Sequence, residues 1–163
     1  MFTKIHWINH PNIQRNCLGT MERPRGNDWL DDEIRGLKYQ EVDCLISLLE
    51  YQEQEELDLL EEESICQKHE IEYLNFPIQD VSIPSNEVAF LRLVNQLVEL
   101  LNQQKRIVIH CRMGIGRSSV LAAGVLIKMG CPAKGIFEHI SQYRGLEVPD
   151  TETQKIWIMS FEN

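Results

Sequence analysis

RIVIHCRMGIGRSSVLAAGVLIKMG, residues 106–130, decides how this chain is read. Arg106 to His110 is a short, strand-like apolar run. Ser118 to Met129 is apolar for nearly its whole length, which predicts a buried helix stopped by Gly130. Between them lies HCRMGIGRSS, with one cysteine, two glycines, an arginine and paired serines. In open α/β sheets, a polar turn from strand into helix is where ligand sites lie. The unpaired N–H groups at a helix start, with their partial positive charge, suit an anion.

The residue types within the turn sharpen that expectation. Gly114 and Gly116 permit tight bends and let successive amides, from Arg112 through Met113 and Ile115, converge on one point. Arg117 offers a planar fork for two oxygens of a phosphate. Cys111 sits at the base, where N–H dipoles and a guanidinium favour its thiolate form. A thiolate beside a bound phosphoryl group is the geometry for covalent phosphoryl transfer. Ser118 can hydrogen-bond the sulfur and help it leave, and His110 can buttress the loop from the strand side. A lone cysteine and arginine at this spacing occur by chance, whereas H-C-x-x-G-x-G-R-S in a strand-to-helix turn is specific. The missing lysine excludes a nucleotide loop of the G-x-x-x-x-G-K-[ST] kind.

Working outward, strand and helix patterns alternate. IHWI (5–8) and Cys17 to Met21 read as strands, MERPRG (21–26) as a loop. Asn27 or Asp28 can cap a helix to about Tyr39, with Asp31, Asp32 and Glu33 in its early turns. VDCLISLL (42–49) is a continuous apolar run, as in a parallel strand covered on both faces. Glu50 to Glu63 holds eight acids and no base. With Leu57, Leu59, Leu60 and Ile65 as an apolar edge, most of 53–69 reads as a surface helix with a solvated acidic face, or else a face for a basic partner. IEYLNFPI (71–78) is a strand, and QDVSIPS a loop. Val88, Leu91, Val94, Leu97, Val98 and Leu101 mark a helix. Pro132 can open another helix to about Tyr143, and Thr151 to Phe161 a last one. The alternation predicts an α/β fold with one central, mostly parallel sheet of four or five strands flanked by helices. No repeat or linker divides the chain, so 1–163 reads as a single domain.

Composition bounds the partners. The chain has 163 residues, 43% hydrophobic and 25% charged, and a net charge of −9. That acidity argues against nucleic acid, so an anionic substrate must be met by a local positive site. No apolar run approaches the roughly 20 residues of a membrane span, and MFTKIHWINHP makes a poor signal peptide. Cysteines 17, 44, 66, 111 and 131 show neither disulfide nor zinc spacing. They fit buried residues in a reducing compartment, hence a cytoplasmic location, with no membrane partner, metal or cofactor.

HCRMGIGRS resembles the signature loop of the cysteine-based protein tyrosine and dual-specificity phosphatases. Small size and a late motif are similar to the compact dual-specificity group. FPIQDVSIP and RGLEVPDTETQ resemble the kinase-associated phosphatase subgroup and its bacterial relatives. The resemblance covers residues 17–160 and implies the phosphatase fold. It also implies hydrolysis of phosphotyrosine, or phosphoserine and phosphothreonine, on phosphoproteins through a phosphocysteine. It assigns Cys111, Arg117 and Ser118 to catalysis and the loop Arg112 to Gly116 to substrate binding. A general acid upstream is expected. Asp80, 31 residues before Cys111, is its match, with Asp150 in reserve. Phe76 to Asp80 stands where larger tyrosine phosphatases carry Trp-Pro-Asp. Gln154 would place the hydrolytic water, or sit on an exposed helix face. Arg23, Arg25 and Arg112 would form a positive rim, or lie solvated. Cys44 would protect Cys111 as a disulfide, or be structural. Phosphoinositide or RNA 5′-phosphate substrates, and a catalytically weak phosphoprotein-binding module, are the alternatives. Oligomeric state is not indicated.

Overall fold

The sheet follows from the apolar runs. The computed structural model describes residues 2–161, so Met1, Glu162 and Asn163 of the expected 1–163 domain lie outside the described residues. The strands are β1 (His6–Trp7), β2 (Leu18–Met21), β3 (Cys44–Ser47), β4 (Glu72–Asn75) and β5 (Ile107–His110). They lie in the order β1-β2-β5-β3-β4, with β1 antiparallel to β2 and the rest parallel. This is the expected α/β sheet, with five strands. The helices are α1 (Leu30–Tyr39), α2 (Tyr51–Glu56), α3 (Glu62–Lys68), α4 (Glu87–Asn102), α5 (Arg117–Lys128), α6 (Ile136–Arg144) and α7 (Glu152–Met159).

Strand periodicity divides the core in two. Cys44, Ile46, Ile107 and Ile109 face a cluster built with α4 to α7. Leu45, Val108 and Met21 face a smaller one built with Leu30, Ile34 and Leu37 of α1 and Cys66 of α3. Helix α5 is buried from Arg117 to Ile127, as its composition predicts, because it lies between sheet and neighbouring helices. Among the described residues no helix is long and apolar enough to cross a membrane.

Four expectations shift. The 27–39 segment begins as a 3-10 turn, Asn27–Trp29, and neither Asn27 nor Asp28 caps α1. The 53–69 helix is two helices, broken where Asp58 adopts a φ of 57°. Helix α4 buries Phe90, Leu93, Val94, Leu97 and Leu101, while Val88 and Leu91 are exposed. Phe90 is the reason: its ring packs edge-on to Trp157 at 4.9 Å and turns the helix toward α7. Helix α6 starts at Ile136, after Gly135 in the left-handed region, so Pro132 precedes it without opening it.

Phe90 is fully buried among Phe76, Trp157 and Phe161. Phe90→Ala should therefore lower the unfolding free energy by about 3–5 kcal/mol. Urea denaturation followed by tryptophan fluorescence measures it.

Candidate active site

Because β2, β5, β3 and β4 are parallel, the loops leaving them meet at one edge of the sheet. Residues far apart in sequence are brought together there by strand direction alone.

The 111–116 loop is shaped by bonds to its carbonyls. Arg23 N donates to Arg112 O at 3.1 Å. Arg144 donates through Nη2 to Met113 O at 3.0 Å and through Nε to Gly114 O at 2.9 Å. A planar trans peptide points its N–H opposite its C=O. Drawing these carbonyls outward therefore turns the following amides into the loop. Gly114 has a φ of 70°, and a Cβ there would lie 2.7 Å from Met21 C and 2.8 Å from Glu22 N. Only glycine combines that left-handed turn with so close a backbone approach.

Cys111 is buried at the loop's base, its Sγ 3.4 Å from Ser118 Oγ. Arg117, also buried, directs its fork at Glu53, with Nη1 to Oε2 at 2.8 Å and Nη2 to Oε1 at 3.0 Å. Nη1 also donates to Ile78 O at 2.8 Å. Nη2 lies 3.0 Å from Asp80 Oδ1. Burial alone would raise the Glu53 carboxyl, but its bonds from Arg117 outweigh that and hold it below the ordinary value. Asp80 itself is half-exposed, its side chain 46% accessible, and its Oδ1 accepts from Val81 N at 2.9 Å.

His110 continues the Val108 side of β5, so its ring points away from the Ile109 face toward α3. There Nε2 lies 2.6 Å from Glu62 Oε2, both groups fully buried, while Nδ1 donates to Cys111 O at 3.1 Å. Burial would lower the imidazole pKa. The Glu62 charge and hydrogen bond, with the Cys111 carbonyl, reverse the sign and raise it above 6.5. Two acids of the 50–63 run are thus buried beneath the loop, while the other six are exposed, as the solvated-face reading expects. A signal was present: Leu59, Glu62 and Cys66 stand at helical spacing, so Glu62 shares their buried face. Arg144 carried no comparable signal.

The remaining expected residues are placed as follows. Met113 is 54% exposed at the loop's outer edge, and Ile115 is half-buried. Gln154 is fully buried, not on an exposed face. Its Nε2 donates to Ser82 O at 2.9 Å, and its Oε1 accepts from Asp150 N and Thr151 N. Asp150 reaches Gly116, where an added Cβ would overlap Asp150 Oδ2. Arg23, Arg25 and Arg112 line a cavity of about 460 Å³ beside Met113. Arg25 pairs with Glu33 at 3.3 Å and Arg112 with Glu56 at 3.5 Å, so the rim is largely neutralised. Cys44 pairs in register with Ile107. Cys111 lies four residues further along, roughly 13 Å away, beyond disulfide reach. Burial, with Glu72 and Asp43, pushes the Cys44 thiol up to about 12.

Comparison with known proteins agrees with this architecture. The family described as "Polymorphic toxin system, DSP-PTPase phosphatase" matches residues 19–131, more than half the chain. A viral relative named "Putative tyrosine phosphatase 197R", from Invertebrate iridescent virus 6, is 38% identical over 71 residues. That match spans 40% of this chain and 27% of the relative's length. Kinase-associated phosphatase, crystallised with its catalytic-site cysteine changed to serine, superposes with a TM-score of 0.89 at 19% identity, covering 99% of this chain and 94% of that one. PTPMT1 in complex with PI(5)P gives 0.76 at 19% identity, with 96% and 93% covered.

Two outcomes follow for the buried ion pairs. Glu53→Ala leaves Arg117 without its bidentate partner and should cost about 3 kcal/mol in urea denaturation. Because His110 is raised in the folded state, its contribution to stability is present at low pH and lost as pH climbs through the raised value. Stability should therefore fall as pH rises above the ordinary imidazole value of about 6.5, and Glu62→Gln should flatten that slope.

Proposed function

Because the chain belongs to the DSP-PTPase phosphatase family, we propose that it hydrolyses phosphomonoesters on phosphoproteins through a phosphocysteine at Cys111. One observation carries the reading. Cys111 and a buried Arg117, held by Glu53 and touching Asp80 at 3.0 Å, share one loop at the start of α5. In this reading the loop amides and Arg117 hold the equatorial phosphoryl oxygens. Cys111 attacks phosphorus, and the bond to the leaving oxygen breaks. Asp80 gives that oxygen its proton. Water then attacks the phosphocysteine, the S–P bond breaks, and Cys111 departs as thiolate beside the Ser118 hydroxyl. Asp80 takes the water's proton and is restored.

The protein substrate is favoured by the surroundings of the loop. Met113 presents an exposed apolar side chain beside the site, and the adjoining arginines are mostly paired. Such a rim suits the stem of a phosphorylated side chain better than a polyanionic headgroup. The five cysteines are free, in keeping with a reducing, cytoplasmic setting.

The test is hydrolysis of an aryl phosphate in EDTA. Wild type should turn over, and Cys111→Ser should lose all activity. Asp80→Ala should fall by about 10²-fold or more. Parallel assays on phosphotyrosyl and phosphothreonyl peptides, inositol phosphates and 5′-phosphorylated RNA should show the highest kcat/KM on peptide. Turnover unchanged in Cys111→Ser would refute the covalent route. Binding of phosphopeptide without any turnover would favour a binding module.

A further inference from the structure

The reaction above has a second half, in which water displaces Cys111 from phosphorus. That water needs an acceptor over the loop. Gln154 stands in the right region, its Nε2 3.0 Å from where a Cβ on Gly116 would be, but its acceptor oxygen is spent. Oε1 accepts from Asp150 N at 3.1 Å and Thr151 N at 3.2 Å, and Nε2 donates to Ser82 O at 2.9 Å. With Thr151 it closes a capping box at the start of α7. These bonds fasten the Asp80 loop to the helix and fix the backbone of Asp150, two residues before it.

The side chain so placed lies against the phosphate loop. A Cβ on Gly116 would overlap Asp150 Oδ2 and stand 2.9 Å from its Cγ. Gly116 is thus the residue whose missing side chain admits a carboxylate over the loop, directly before Arg117. Unlike Gln154, Asp150 is open to solvent, so water reaches it. Its electrostatic neighbours are those of the site. Burial first, then the charge of Asp80, hold its carboxyl above the ordinary value, while Arg117 acts in the opposite sense.

We propose that Asp150 is a second catalytic carboxylate, accepting a hydrogen bond from the water that attacks the phosphocysteine and so orienting it toward phosphorus. The proposal rests on the reading of Cys111 as nucleophile. One proton of the water is held by Asp150, and the other passes to Asp80 as the O–P bond forms. The S–P bond breaks, leaving the Cys111 thiolate and inorganic phosphate. Gln154 is a positioning residue, acting through Asp150 and Ser82. Asp80 serves both halves of the reaction, and Asp150 the second alone.

Rapid-quench kinetics with p-nitrophenyl phosphate separate the halves. In Asp150→Ala the first turnover should release nitrophenol at the wild-type rate, while steady-state kcat falls about 10²-fold. Phosphoenzyme should accumulate and be trapped on acid quench. Asp150→Asn keeps an acceptor oxygen and should retain more of the steady-state rate. Gly116→Ala, which pushes the carboxylate away, should also accumulate phosphoenzyme. Asp80→Ala should instead slow the first turnover. The proposal is overturned if Asp150→Ala matches wild type in both phases. It is equally overturned if both phases slow together with no trapped phosphoenzyme. Failure of the underlying reading looks different: wild-type turnover that survives in Cys111→Ser.

Discussion

A guanidinium cannot be left unpaired in a protein interior, and Arg117 is almost wholly buried. That constraint organises the site. Its donors are met by Glu53 from α2, by the Ile78 carbonyl beyond β4 and by Asp80 two residues later. The segments after β3 and β4 are thereby drawn onto the start of α5. Taking one carboxylate from the inner side and another from the solvent side leaves the fork fixed in plane, with a charged group at its open face. In the mechanism proposed above, this same cation meets the phosphoryl oxygens.

A second buried pair, His110 with Glu62, supports the loop from below. Strand alternation puts His110 on the opposite face of β5 from Ile109, so the support comes through the smaller core and α3. Its other nitrogen bonds the carbonyl of Cys111. Arg23 and Arg144 bond the next three carbonyls from outside. No single element builds the cradle. Its amides turn inward because three separate segments hold four of its carbonyls outward.

These contacts reconcile an acidic protein with an anionic substrate. The net charge of −9 sets a repulsive overall field. Against it stand one buried guanidinium, a helix start and converged amides, all short-range and shielded from solvent. The carboxylates nearest the loop are few and individually placed. Glu53 and Glu62 are committed to partners, and Asp80 and Asp150 stand at the opening in the roles proposed for them.

Much of this was legible in the chain. Residues 106–130 carry their own context: an apolar strand, a turn with two glycines and an apolar helix are local patterns, set by periodicity and backbone freedom. The α/β class, the sheet and the place of Cys111, Arg117 and Ser118 all follow from them. Asp80 was singled out through the resemblance of its loop, and the structure adds its contact with Arg117. Six of the eight acids in the acidic run face solvent, as their charge suggests. Two of its glutamates are buried only because a cation from elsewhere waits for each. The places of Gln154 and Asp150 were not legible either, since both lie against Gly116 and Gln154 bonds Ser82, far away in sequence. What the sequence by itself determined is the local chemistry of the turn and the order of strands and helices. The tertiary structure alone decided which acids meet which cations, because pairing across 64 and 48 residues depends on strand register and helix docking, and neither is written in any local pattern.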